Sequence, residues 1–589
     1  MARLYGPRLE KLSQDFPQVR FLGLSSNRQD SLEDIQAYVN EIGLTFEFAK
    51  DYDNVLANEF EATRTPEVVV LGPLGEIRYR GRIDDQYIPG VAKPEPTRHD
   101  LRVALEELTS GKSVSVAETQ PAGCLIGKVP QSAQPTELTY CQEISRILQR
   151  HCVECHREGD IGPFALTDYE EVVGWGEMML EVIDDGRMPP WHANPKYGEF
   201  HNSRQMPVAD KEALREWVAG GMPHGNPQDL PEPLPVVERW RIPGGPDAVY
   251  AMSEDSFSVP ADGVVEYQYF VVDPGFEEDV WVSSAEVRPG NRSVVHHCIV
   301  FIRPPDGAEF RGTGFLSGYV PGQRATTFPE GYARKIPAGA SLVFQMHYTP
   351  NGAPAKDRTE IALKFLPESQ VTHDVITVIG INRDFEIPPH AEKFPVSGQT
   401  RRLPQNGELL AITPHMHYRG ESFTAFLDES DGRSILLDVP QYDFNWQHVY
   451  ELKKPLSIRD IDRIRFTCRF NNSDSNPANP DPSIHVTWGD QTWEEMAVAF
   501  FEVARPHGQN DEIDEPVVLD PVADRKRSAE INQFVKSFFS RFDSNKDGTI
   551  LPEEMPLAQK RFGFGKFDEN HDQQLTESEV RRVAMREKR

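Results

Sequence analysis

VVHHCIV (residues 294–300) and SLVFQMHYTP (341–350) are short apolar runs that carry histidine and are too brief for buried helices. Outward from them, about residues 241 to 508 are dense in similar segments, such as EYQYFVVD (266–273) and RIRFTCRF (463–470), broken by Gly, Pro, Asn and Asp. Almost nothing in this region has a helical period, so it reads as β-sandwich. Two further histidines stand in TPHMHYRG (413–420), and a methionine in QTWEEMAVAF (491–500). The set is then His296, His297 and His347, followed by His415, His417 and Met496. Imidazole binds either oxidation state of copper and a soft thioether favours Cu(I), so the two groups suit two mononuclear copper sites with different ligand fields. His415 and His417 share a face if they lie on a strand. His296 and His297 would point to opposite faces, so joint ligation demands a local bend. Any one of the 17 histidines taken singly is more often an ordinary polar side chain; the weight lies in the ordered set.

From about 245 to 505 the chain resembles the copper type II, ascorbate-dependent monooxygenases, the family of peptidylglycine hydroxylase and dopamine β-hydroxylase. The resemblance extends to YQYF, QMHYTPNG, HMHYRG and the Cys468 strand that leads to Glu-Glu-Met496. It implies two all-β, jelly-roll-like sandwiches (241–368 and 369–508), each holding one metal across a solvent cleft. It further implies that the His296/His297/His347 copper takes up and passes on electrons. The His415/His417/Met496 copper is then the catalytic site, where dioxygen binds. Thr413, Val498 and Phe500 occupy positions that in the peptidylglycine enzyme anchor a substrate carboxylate, so a peptidylglycine substrate does not fit and an apolar C–H substrate does. Ala497 stands where the family has a cysteine, leaving Cys468 without that partner; Cys298 reads as a buried thiol.

At 589 residues the chain exceeds one core, and length suggests about four domains. The net charge of −30 argues against a nucleic-acid partner. No apolar run is long enough for a membrane span. Six cysteines are too few for a disulfide scaffold.

Residues 1–120 read as α/β: strand (FPQVRFLGLSS), helix (SLEDIQAYVNEIG), hairpin (TPEVVVLGPLGEIRYRGRI) and helix (HDLRVALEELTSG). This unit resembles a thioredoxin or peroxiredoxin-type domain, with Thr65-Pro66 where that fold carries its cis-proline. The first strand and reactive cysteine are missing, which makes the domain either truncated at its N-terminus or a degenerate remnant. No thiol catalysis is assigned.

After a linker, an amphipathic helix runs into CVECH (152–156), the c-type haem attachment signal. Cys152 and Cys155 would carry the thioethers and His156 the proximal ligation. A zinc or redox CxxC is the rival reading. Residues 138–225 resemble a small all-α cytochrome c domain, with Met188 as the other axial ligand, Met206 as runner-up and His192 third. NPQDLPEPLPVVERW (226–240) is a Pro-rich, acidic spacer, and 505–530 is polar and breaks up regular structure.

Residues 528–589 carry two loops of EF-hand spacing, an α-helical pair suited to calcium. The first offers Asp543, Asn545, Asp547, Thr549 through its carbonyl, and Glu554, turning at Gly548. The second offers Asp568, Asn570, Asp572, Gln574 through its carbonyl, Thr576 and Glu579, with Gln573 where glycine is expected.

Together these readings give a copper-dependent monooxygenase that hydroxylates a C–H bond of an apolar small molecule with O₂, electrons reaching copper from the fused haem. An external donor reduces that haem. The rivals are a non-catalytic copper and haem electron-transfer or metal-handling protein, and a calcium-dependent adhesion module. Haem attachment and calcium both point to the periplasm or the exterior, with the signal peptide clipped from the given chain.

Overall fold

The structure, a computed structural model, describes every residue except 89–90, 94, 129–135, 159, 236–239, 264, 306–313, 321–324, 430–431, 460, 462, 490, 510–520, 557–558, 561–562, 569–570 and 588–589. The N-terminal elements follow the sequence pattern. Helix Leu32–Ile42 is opened by a capping box between Ser31 and Asp34 and closed by Gly43 at φ 76°. Strand Leu22–Ser25 pairs in parallel with Glu47–Lys50, and Val68–Leu71 forms a hairpin with Ile77–Gly81. These are separate two-stranded sheets among the described residues. Helices Ala2–Asp15 and Asp100–Thr109 bury Tyr5, Leu12, Leu101 and Leu105 against Tyr79 and Ile83.

Four helical segments follow: Tyr140–His151, Tyr169–Gly174, Gly176–Asp184 and Val208–Ala219. Their apolar faces meet around Ile144, Leu148, Val172, Leu214 and Trp217. The chain from 188 to 202 then leaves the helices and lies along the β region. There Asn194 N–H donates to the Asp438 carbonyl at 2.8 Å and Phe200 bridges Leu452.

The β region contains a four-stranded sheet in the order Gln268–Val272, Ser341–Tyr348, Val295–Arg303, Phe315–Tyr319. It packs on Val280–Arg288 and Glu360–Phe365, strands of a much longer sheet, through Val300, Phe344, Met346, Val282 and Leu363. A second core gathers Leu409, Ile412, Phe423, Phe466 and Phe501. The β region thus has two cores, and the longer sheet is shared between them. Tyr332–Ile336 pairs in parallel with His373–Asn382, so hydrogen bonding crosses the turn at Glu368–Gln370.

One expectation is corrected at the C-terminus. Helix Pro521–Phe542 begins inside the stretch read as breaking regular structure. ADRKRSAE is polar, but Ala, Arg, Lys and Glu are good helix formers. No described helix is long and apolar enough to cross a membrane.

Candidate metal centres

His297 and His347 face each other across neighbouring strands, and the ladder slips by one residue between Val295 and His297. His296 is the residue in that bulge. A β-bulge re-aims a side chain that strict alternation would send to the other face, which supplies the bend the adjacent pair requires. As a result one ring nitrogen from each of His296, His297 and His347 lies within 4.8 Å of the other two. His297 Nδ1 is 3.2 Å from His296 Nδ1 and 3.4 Å from His347 Nδ1. Nitrogens bound at about 2.0 Å to one ion stand about 3.3–3.5 Å apart, so the set fits a single small metal ion. Burial, then the neighbouring imidazoles, holds His297 and His347 well below the usual histidine pKa. Neutral rings keep the lone pairs a metal needs. Tyr267 covers the site, its ring centroid 5.6 Å from His297 and 5.0 Å from His347.

His415 is the last residue of strand Glu408–His415, and His417 lies beyond it in the turn. The expectation that both share one strand face is therefore corrected. The rings meet at 90° with centroids 5.3 Å apart because the turn is clamped from outside. The clamp is Glu495, fully buried, whose carboxyl accepts backbone N–H bonds from His417 (2.9 Å), Arg419 (2.6 Å) and Met496 (3.3 Å). Burial lifts its pKa to about 7. His415 Nδ1 donates to Gln447 Oε1 at 2.6 Å, and His417 Nδ1 to the Glu494 carbonyl at 3.2 Å. A histidine held through Nδ1 in this way presents Nε2 to a metal, the usual arrangement at metal sites. Burial draws the His417 pKa down to about 3.

Met496 immediately precedes strand Ala497–Pro506, in which Val498 stands opposite His415. Met496 is thus two residues before the cross-strand partner of His415. It packs with Val498, Phe500 and Trp488. Thr413 pairs with Phe500, whose ring also lies 6.3 Å from Phe315 of the other half. Cys298 and Cys468 are buried free thiols, and Ala497 is buried.

Between the two histidine sets stands Phe444. Its ring centroid is 6.0 Å from His296, nearly parallel, and 6.1 Å from His417, perpendicular. Sequence reading missed Phe444, Asn445 and Gln447, which sit in DFNWQH (443–448), a loop marked only by its aromatic residues. It also missed Tyr267 and Glu495, although both lie in stretches already quoted.

In the helical unit His156 Nδ1 donates to the Phe164 carbonyl at 3.1 Å, which would let Nε2 serve as an axial ligand if a haem is attached. Cys152 and Cys155 are half-buried free thiols, open to thioether formation, so the CVECH donor set fits a c-type haem. Met188 is half-buried just after helix Gly176–Asp184, whereas Met206 is packed into the helical core. His192 faces His448 of the second half, ring centroids 6.4 Å apart.

The two C-terminal loops are joined by backbone pairing of Thr549 with Thr576 and Ile550 with Leu575. Gly548 turns at φ 82° and Gln573 at φ 66°, so glutamine adopts the left-handed conformation that glycine takes in the first loop. Asp543 Oδ1, Asp568 Oδ1 and Glu579 Oε1 are buried acceptors without partners, which fits an oxygen-ligated cation in each loop. Asn545, Asp547, Thr549 and Glu554 are placed in the first loop, and Asp572, Gln574 and Thr576 in the second; Asn570 lies outside the described residues.

The match to a known family falls on the second histidine set. Residues 373–502 match the copper type II ascorbate-dependent monooxygenase C-terminal domain. That segment holds His415, His417 and Met496, while His296, His297 and His347 lie before it. No curated protein matches the chain. Among solved structures, a hypothetical protein from Sinorhizobium meliloti 1021 is 27% identical over 22% of this chain and 73% of its own, with a TM-score of 0.21. An uncharacterized conserved protein from Geobacillus kaustophilus is 27% identical over 22% and 72%, with a TM-score of 0.20. The major capsid protein P2 from Bacteriophage PM2 is 9% identical over 45% and 99%, with a TM-score of 0.22.

Proposed function

We propose that this chain is a copper-dependent monooxygenase that hydroxylates a C–H bond of an apolar small molecule. The observation that carries the reading is the pairing of a three-imidazole cluster with the His415/His417/Met496 set on the other side of Phe444, the second set inside the matched monooxygenase segment. Copper held by these two sets supplies one-electron redox chemistry and the activation of dioxygen. The overall balance is one C–H bond, O₂, two electrons and two protons giving C–OH and water.

The chain's own residues do the remaining work. Gln447 and the Glu494 carbonyl fix the proton on Nδ1 of His415 and His417 and aim Nε2 at the site. The Glu495 clamp holds that turn against the strand that follows Met496. Phe315, Phe444 and Phe500 give the surroundings an apolar, water-excluding character, and Thr413, Val498 and Phe500 offer a carboxylate no charge partner. These features favour an alkyl or aryl-alkyl substrate.

We further assign the haem to Cys152, Cys155 and His156 with Met188 as the other ligand, as a source of electrons that reaches at least the His296/His297/His347 copper. Calcium is assigned to the two C-terminal loops as a structural cation. Haem attachment and the calcium loops support a periplasmic or extracellular setting.

The test is incorporation of ¹⁸O from ¹⁸O₂ into an alkylbenzene by copper-loaded, haem-bearing protein. Labelled alcohol that disappears when His415 is replaced supports the reading. Copper reoxidation by O₂ with no labelled product from any apolar substrate would favour an electron-transfer or metal-handling protein.

A further inference from the structure

The loop 443–448 touches three things at once. Its Asn445 side chain hydrogen-bonds His296, and its Gln447 Oε1 accepts a hydrogen bond from His415 Nδ1 at 2.6 Å. Its last residue, His448, is 6% exposed, with an Nε2 that has no partner. The His448 ring lies 6.0 Å from Trp191 and 6.4 Å from His192, both in the segment that follows Met188. Trp446 stacks on His448 at 6.1 Å, and Trp191 meets Tyr450 at 5.0 Å. Arg204 ties the same seam to the CVECH motif: its Nη1 reaches Cys155 Sγ at 4.0 Å, and its charge acts on His448.

We propose that loop 443–448 conducts electrons from the CVECH domain to each histidine set separately, with Trp191 and His448 as the crossing point. The inference rests on the proposed function for the identity of donor and acceptor. In each event one electron leaves a ferrous haem and reduces one cupric ion, leaving ferric haem and cuprous ion, with no bond broken and no proton moved. Tunnelling is fastest through packed atoms and hydrogen bonds. From Trp191 the path crosses one aromatic contact, enters the loop backbone and divides through Asn445 to His296 and through Gln447 to His415. The second site therefore needs no electron handed on from the first. A competing route runs from Cys155 through a small cavity to Tyr319, which is paired with Cys298 next to His297 and so leads only to the first set.

The experiment uses the full haem-bearing, copper-loaded chain without oxygen. The haem is reduced by a flavin semiquinone generated with a light flash, and two signals are followed: reoxidation of the haem band and loss of the Cu(II) paramagnetic signal. In His347→Ala, which lacks the first copper, the remaining copper is expected to be reduced as the haem reoxidises. A haem that stays reduced beside cupric ion would overturn separate delivery. Trp191→Leu is expected to slow haem reoxidation about tenfold, equivalent to about 1.4 kcal/mol of barrier. Tyr319→Phe, which keeps the ring, is expected to leave the rate unchanged. An unchanged rate in Trp191→Leu, or slowing in Tyr319→Phe, would overturn the route. If Trp191→Leu loses copper or alters the haem band, His448→Leu is read in its place against the same tenfold expectation. Failure of the hydroxylation reading is distinct: electrons reach both coppers on this path but no labelled alcohol forms.

Discussion

His297 and His347 are cross-strand partners with Nδ1 atoms 3.4 Å apart, and the bulge beside them delivers His296 to the same point. Three imidazoles thus converge from two strands, on a scaffold held by the buried Val300, Phe344 and Met346. Strand pairing and the bulge bring the three rings together.

Removing one arm of this cluster should remove one copper site. His347→Ala is expected to lower bound copper from two ions per chain to one, leaving the His415/His417 site filled. Elemental analysis after dialysis, with the paramagnetic spectrum of the remaining ion, checks it. Two ions retained would mean that the cluster is not a copper site.

Gln447→Leu deletes the acceptor that orients His415 while keeping the side chain's bulk. Outer partners of metal-bound histidines are worth about 10–100-fold in affinity, so copper at the second site should weaken by that range. Competitive chelator titration reads it, and affinity at the His296/His297/His347 site should stay constant.

His448 sets a pH dependence. Burial pulls its pKa from the ordinary 6.5 down to about 3, so between those values the unfolded chain binds a proton that the folded chain refuses. Stability due to this group is complete above pH 6.5 and falls by about 1.4 kcal/mol per pH unit below it, until the folded pKa is reached. His448→Phe should flatten the stability curve between pH 6 and 4 relative to the parent, measured by urea unfolding. Identical slopes would contradict the burial of an unprotonated ring.

In the second C-terminal loop Gln573 holds φ at 66°. A left-handed conformation costs a non-glycine residue about 1 kcal/mol, equal to about fivefold in affinity. Gln573→Gly should tighten calcium binding by up to that factor. Calorimetric titration compared with the first loop, where Gly548 already makes the turn, tests it.

The sequence alone determined which metal-binding types of side chain are present and much of the local structure. The helix Leu32–Ile42, the hairpin around Gly75, the CVECH helix and the paired C-terminal loops were legible because capping residues, turn glycines and fixed residue spacings act over a few positions. Six copper-type side chains in order suggested two centres, and the adjacency of His296 and His297 demanded the bend that the bulge provides.

Tertiary structure alone decided what stands between and behind those side chains. Phe444, Asn445 and Gln447 lie more than a hundred residues from His296 and about thirty from His415, and nothing in DFNWQH marks them as partners. The shared sheet across Tyr332 and His373, the Glu495 clamp on the His417 turn and the Trp191–His448 seam depend on strand register and packing between remote segments. Pattern and spacing report short-range preference; which distant surfaces meet is set by the joint burial of two cores, and that exists only in the folded chain.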